Sequence, residues 1–252
     1  MRAPLRVPVS GLVPGGMSLD DDARRYVARV HRRGVGDALV LFDPELGQEA
    51  EAVIVELGRG AIRVDVSAPR PGANTPMREI TLVQALGKSA ASDEVVRDAT
   101  ALGVTALVFA ATERALSQGA PRERGRAERW RRISVQAARQ CQRGDLPRID
   151  GPVSLSEVLA RYGVEADSVL AQATLRLQLQ VGAQRGFASA LREAPARPLA
   201  LLVGPEGGLS PAEQDAAASA GFEPVNLGSY VLRTELAAAV ALGVVAALGA
   251  GH

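Results

Sequence analysis

The chain is poor in the side chains that most enzymes use as nucleophiles, bases and metal ligands. Among 252 residues there are two histidines, His31 and His252, and one cysteine, Cys141. A lone cysteine excludes an internal disulfide and fits a reducing, cytoplasmic compartment. So few imidazoles and thiols leave no usual zinc ligand set, and no metal is expected. Of the 29 lysines and arginines only Lys88 is a lysine. No lysine follows it, so no phosphate-binding loop of the Gly-Lys-Ser/Thr kind can form. No GxSxG elbow is present, and no histidine stands where a hydrolase triad would want one. What survives these exclusions is chemistry by positioning and desolvation, as in group transfer from an activated cofactor.

Long apolar runs are also scarce. The N-terminus, MRAPLRVPVSG, has no apolar core of export-signal length. Leu236 to Gly251 spans about 16 residues of mostly alanine, glycine and valine, short of the roughly 20 a membrane crossing needs. A helix apolar all round is expected to be buried in a core or subunit interface.

An apolar fraction of 47% and a charged fraction of 23% are those of a globular protein, and the length suggests two domains. Up to about Ser67 the pattern is short alternating strands, Ala38–Phe42, Glu51–Leu57 and Ala61–Val66, separated by glycine turns. Asp20–Arg33 is predicted as one helix, acidic at its start and basic at its end. Together these predict a small β-barrel at 1–70. Ser67–Met77 carries three prolines and is expected to be a linker. From Glu79 strands alternate with helices, which predicts an α/β domain over 76–252 with a parallel sheet. The expected strands are Ile80–Ala85, Val104–Ala110, Ser168–Ala171, Leu199–Val203 and Glu223–Leu227. Expected helices start at Ser92, near Gly125, and at the capping box Ser154–Glu157. Residues 172–197 carry no clear pattern.

The segment Leu201–Ala239 is the most informative. The strand Leu199–Val203 ends in Gly204-Pro205-Glu206-Gly207-Gly208. Ser210, Pro211 and Glu213 form a capping box with proline at the first helical position. Leu227-Gly228 opens a second glycine turn, and Thr234 offers an N-cap to the last helix. Two strand ends, each followed by a glycine turn and a helix start, are suited to holding a small ligand.

Net charge is only +1, yet Pro121–Gly144 carries eight arginines against two glutamates, a local +6. Trp130, Ile133, Ala137 and Cys141 fall near one stripe, so Trp130 is expected to anchor the helix while arginines face outward. Such an excess usually meets phosphate backbones, which points to nucleic acid.

These residues resemble a known family. Gly204–Gly208, Ser210–Glu213 and Leu227-Gly228-Ser229-Tyr230-Val231-Leu232-Arg233-Thr234-Glu235 are similar to the C-terminal signature of the SPOUT methyltransferases. The nearest pattern is that of the bacterial family that methylates N3 of a uridine in small-subunit (16S) ribosomal RNA, the RsmE type. Gln84–Lys88, Leu102–Val104, Thr112–Arg114, Arg129-Trp130, Gln140–Arg143 and Pro147 follow in family-like order, as do Arg29–Arg32 and Leu41–Asp43.

The resemblance implies a SPOUT-type parallel sheet with a C-terminal trefoil knot, a PUA-like RNA-binding barrel in front of it, and a homodimer formed through the knot. It implies S-adenosylmethionine as cofactor, held by Leu170, Leu202, Gly204, Pro205, Glu206, Gly207, Gly208, Leu227, Gly228, Val231 and Leu232. Arg233 becomes the catalytic candidate, with pairing to Glu235 or a phosphate as its other role. Arg2, Arg32, Lys88, Arg114, Arg129, Arg132 and Arg143 become the RNA-binding candidates. The chain departs from the family pattern at Arg97-Asp98, Ala101, Ala115, Arg139, Tyr230 and Leu236. A SPOUT-fold RNA-binding protein without catalysis, and an α/β enzyme that binds a phosphate at Gly204–Gly208, therefore stay open as alternatives.

Overall fold

Buried apolar side chains form three clusters, one in the strands of the first part and one on each face of a second, parallel sheet. The computed structural model describes residues 4–58, 60–87, 89–115, 123–163, 173–195 and 197–249. It separates into two units, Met1–Thr75 with Val135–Leu146, and Pro76–Ser134 with Pro147–His252.

The first unit holds β1 (Leu5–Pro8), β2 (Gly15–Ser18), β3 (Ala38–Asp43), β4 (Gln48–Leu57), β5 (Ile62–Val66) and β6 (Arg70–Pro71) in the order β1-β3-β4-β5-β2, with β6 on β4. β1 runs parallel to β3, and the other pairs are antiparallel. Along β5, Ile62, Val64 and Val66 are buried while Arg63 and Asp65 are exposed, so this strand feeds one face into the core. The expected helix over 20–33 is shorter and irregular. Asp20 caps α1 (Asp21–Arg24) through the Ala23 N–H at 2.8 Å. The chain then widens into a π turn, Arg25–Val30, where the His31 N–H reaches back to the Tyr26 carbonyl. The widened turn keeps Ala23 and Val27 in the core and sets the Tyr26 ring against both His31 and Arg139.

The segment Ser67–Met77 is more than a linker, because β6 pairs with β4. Val135–Leu146, inside the span expected for the second domain, groups with the first unit. Gly144 N–H donates to Ala73 O at 2.8 Å, and a Cβ on Gly144 would lie 2.5 Å from the Gly72 Cα. Arg6 bonds both the Arg143 carbonyl and the buried Glu49 carboxylate, which also accepts from Arg70 and the Ala73 N–H. Burial pushes the Glu49 carboxyl up, but hydrogen bonds from Arg6, Ala73 and Arg70 outweigh it and hold the group below its ordinary value.

The second unit is a six-stranded sheet, every neighbour pair parallel: β12 (Glu223–Val225), β10 (Leu175–Leu179), β11 (Leu199–Val203), β7 (Ile80–Ala85), β8 (Ala106–Ala111) and β9 (Arg148–Ser154), in that order. Its helices are α2 (Ser89–Ala101), α3 (Glu123–Cys141, whose last turns group with the first unit), α4 (Leu155–Tyr162), α5 (Phe187–Glu193), α6 (Pro211–Ser219) and α7 (Thr234–Gly249). Both sheet faces are covered, which is why β11 is apolar throughout. Leu199, Leu201 and Val203 face a core shared with Phe109, Trp130 and the α7 residues Ala238, Ala241 and Leu242. Ala200 and Leu202 face the opposite one, with Leu159, Leu209, Ala217 and Phe222. Trp130 is buried and stacks on Phe109 at 4.2 Å between centroids.

The starts of α2 and α4 compare differently with expectation. α2 begins at Ser89, so Ser92 lies inside it, buried rather than capping. α4 begins as expected, with the full Ser154/Glu157 box. Among the described residues no helix is long and apolar enough to cross a membrane. α7 instead buries Ala238, Ala241, Leu242 and Val245 in the second core.

A cavity at three strand ends

β12, β10 and β11 are adjacent and parallel, so the loops leaving their carboxyl ends meet. Between them lies a cavity of about 390 Å³ formed by Gln178–Val181 at the end of β10, Val203–Leu209 at the end of β11, and Asn226–Gly228 with Tyr230–Leu232 after β12. Gln214 of α6 and Thr234 and Ala237 of α7 complete it. A crevice outside the carboxyl ends of parallel strands is where open α/β sheets bind ligands.

Nine candidates from the sequence line this cavity: Gly204, Pro205, Glu206, Gly207, Gly208, Leu227, Gly228, Val231 and Leu232. Leu202 belongs elsewhere. Its neighbour Val203 faces the cavity, and strand alternation turns Leu202 into the core beneath α4 and α6. Leu170 and the expected strand Ser168–Ala171 lie outside the described residues. The third loop of the cavity follows β10, within the stretch that showed no pattern. Leu175, Leu177 and Leu179 alternate there with Arg176, Gln178 and Gln180, a period-two signal that could have found the strand. Gln178, Gln180, Gln214, Asn226 and Tyr230 are the polar and aromatic lining residues the sequence reading missed.

The loops are held from behind. Gly208, at φ +69°, closes a turn in which its N–H donates to Pro205 O at 2.8 Å. Arg114 Nη1 donates to Gly207 O at 2.5 Å. The Ser210/Glu213 box forms as expected, and Glu213 also accepts the Glu113 N–H at 2.8 Å, which ties the loop after β8 to α6. Asn226 Nδ2 donates to the Ala183 and Arg185 carbonyls.

Thr234 does not cap α7. It is the first residue of that helix, and the Ala237 N–H bonds the Arg233 carbonyl instead. The Thr234 hydroxyl donates to Gly204 O at 2.7 Å and accepts from the buried Gln84 Nε2 at 2.8 Å. Arg233 is exposed, between the lining residues Leu232 and Thr234.

The only charged lining residue among those described is Glu206, and it is exposed. A cavity with apolar walls (Leu179, Leu227, Val231, Leu232), backbone polar groups and no cationic lining residue suits a flat heterocycle held by main-chain contacts. It does not suit a polyphosphate, which needs cationic side chains or several free N–H groups.

The basic candidates divide sharply. Arg143 is 2% exposed and paired with Asp145 at 2.7 Å, so it is a core residue and not an RNA contact. Arg129 is paired with Asp93 and Arg114 with the Gly207 carbonyl, so both have structural partners. Arg132 and Arg32 are exposed, and Arg32 adopts φ +49°, an uncommon conformation for a long side chain. Arg2 and Lys88 lie outside the described residues.

Residues 73–246 match a family model described as an RNA methyltransferase domain. The chain is 37% identical to the ribosomal RNA small subunit methyltransferase E of Mycobacterium bovis, over 91% of this chain and 86% of that one. A Legionella pneumophila structure that holds bound S-adenosylmethionine is similar with a TM-score of 0.82 and 28% identity, covering 98% of each chain. The ribosomal RNA small subunit methyltransferase E of Neisseria gonorrhoeae, solved bound to S-adenosylmethionine, is similar with a TM-score of 0.82 and 25% identity, covering 96% of each.

Proposed function

Since the chain belongs to the RNA methyltransferase family, we propose that it uses S-adenosylmethionine to methylate N3 of a uridine in small-subunit ribosomal RNA, in the cytoplasm. The observation that carries this reading is the backbone-rich cavity, without a cationic lining residue, where the loops after β10, β11 and β12 meet. On this reading those loops belong to a C-terminal trefoil knot, and β1–β6 form a PUA-like barrel that engages RNA.

The residues present fit the cofactor. Leu179, Leu227, Val231 and Leu232 would cover the adenine, and the main chain of Gly204–Gly208 and Leu227–Leu232 would read its edge. When bound, the cofactor supplies an electrophilic methyl group. The work left to the chain is to exclude water, hold the base in line and favour the deprotonated imide. The exposed Arg233 guanidinium, between two lining residues, is suited to stabilising the negative charge that spreads onto the uracil carbonyl oxygens as the N3 proton leaves. Of the described arginine candidates, Arg32 and Arg132 are exposed without a structural role named above and are placed to meet phosphates. Tyr230, Val231, Leu236 and Val240 are exposed at 86%, 77%, 49% and 38%, an apolar surface that a second copy of the chain would cover in a homodimer.

Calorimetric titration with S-adenosylmethionine and nucleoside mass spectrometry of 16S ribosomal RNA test the proposal. Cells lacking the gene should lose one 3-methyluridine and regain it with the wild-type copy. Cofactor binding with unchanged 3-methyluridine would favour an RNA-binding protein without this activity.

A further inference from the structure

We infer that Gln84, which does not line the cavity, is a positioning residue for it: through the Thr234 hydroxyl its side-chain amide fixes the Gly204 carbonyl and the start of α7. The inference rests on the cofactor assignment above and adds a residue from the middle of the sheet to that site.

Gln84 lies near the carboxyl end of β7, paired with Val203 of β11 on one side and Phe109 of β8 on the other. It is 1% exposed. Its Nε2 donates to Thr234 Oγ1 at 2.8 Å and makes a long contact of 3.4 Å to Ala85 O. The Thr234 hydroxyl spends its one proton on Gly204 O at 2.7 Å. The oxygen can therefore only accept from Gln84, which fixes the orientation of that amide and turns its buried Oε1 away from any hydrogen-bond partner among the described residues. A buried amide oxygen left unpaired is unfavourable, and an apolar side chain of similar shape would remove that cost. Stability of β7 therefore does not explain a glutamine here. The relay it completes does, because it joins three distant chain segments at one point: β7, the first residue after β11, and the residue after Arg233. Gly204 and Thr234 both line the cavity. The relay holds the Gly204 carbonyl from the buried side, while Arg114 holds the Gly207 carbonyl from the exposed side. A loop pinned at both carbonyls keeps its cavity-facing backbone in one arrangement before the ligand arrives, which raises affinity by lowering the ordering cost.

The test is Gln84→Met in the full-length protein, with S-adenosylmethionine affinity by calorimetry, melting temperature, and amide exchange over residues 204–209 read separately. The expected result is an affinity at least tenfold weaker, faster exchange in that loop, and a melting temperature equal to or above wild type. Thr234→Ser should keep wild-type affinity and Thr234→Val should lose it. The two losses should be non-additive when Gln84→Met and Thr234→Val are combined. Wild-type affinity in Gln84→Met would overturn the inference. So would affinity and melting temperature falling together in both Gln84→Met and Thr234→Val, which would make the residues merely structural. Absence of binding by the wild-type protein would instead defeat the cofactor assignment.

Discussion

The starts of α6 and α7 carry the same kind of signal, a small hydroxyl residue with glutamate close behind, and they use it in opposite ways. Ser210 turns its oxygen onto its own helix, accepting the Glu213 N–H at 3.3 Å while Glu213 accepts the Ser210 N–H at 2.9 Å. Thr234 turns its oxygen away from its helix, toward Gly204 and Gln84. The first arrangement satisfies local donors and concerns helix stability. The second spans the unit and concerns the shape of the cavity. Residue type signals that a helix begins; it does not signal whom the hydroxyl serves.

The largest effect that would sharpen this contrast lies one residue before Thr234. Arg233→Ala should lower methyl transfer by about two to three orders of magnitude, with cofactor affinity kept within about tenfold. Single-turnover transfer and calorimetry check the two separately, and loss of both would reassign Arg233 to cofactor binding or folding. Ser210→Ala should cost ~1 kcal/mol of stability by denaturant unfolding and leave cofactor affinity unchanged. A large affinity loss there would erase the distinction between the two helix starts. Glu213→Gln should cost ~0.5 kcal/mol, since a carboxylate at a helix N-terminus is replaced by a neutral amide. The smallest effect concerns the third hydroxyl start, at α4. Hydrogen bonds from the Ser154 hydroxyl and then the Ser154 N–H hold the Glu157 carboxyl below its ordinary value. A lowered folded-state value stabilises above the unfolded one, and the gain disappears as pH falls through the folded value. Fraying of α4, followed by amide exchange, should therefore increase under acid in the wild type and be independent of pH below neutrality in Glu157→Gln.

Most of the cavity was legible in the sequence because glycine turns after apolar strands have few other uses. Gly204–Gly208 and Leu227-Gly228 fall where their pattern says. What was not legible has physical reasons. Period-two alternation says that Leu202 and Val203 face opposite sides but not which side holds the ligand. The alternation in β10 reads as a half-exposed strand, whereas Arg176 is buried, its guanidinium spent on the carbonyls of Tyr162, Gly163 and Thr174. A count of eight arginines cannot separate the exposed Arg132 from Arg143, which an aspartate two residues away keeps inside. Gln84 opens the family-like stretch Gln84–Lys88, but nothing in that stretch says what its amide holds, and only its burial beside Thr234 reveals it.

The closure of Gly144 on Gly72 bears on the order in which the protein can fold as it is made. The first unit is not complete at residue 75, because Arg143 and Gly144 supply bonds to Arg6 and Ala73 and Arg139 covers the Tyr26 ring. A growing chain that has emerged only as far as Thr75 lacks these partners. Its strands can pair, but Arg6 and Ala73 must wait for some seventy further residues, including two strands of the parallel sheet, before the first unit can close. A fragment cut at Thr75 lacks the Val135–Leu146 part of its own unit, so β1–β6 are not a module that can be moved by themselves to another protein.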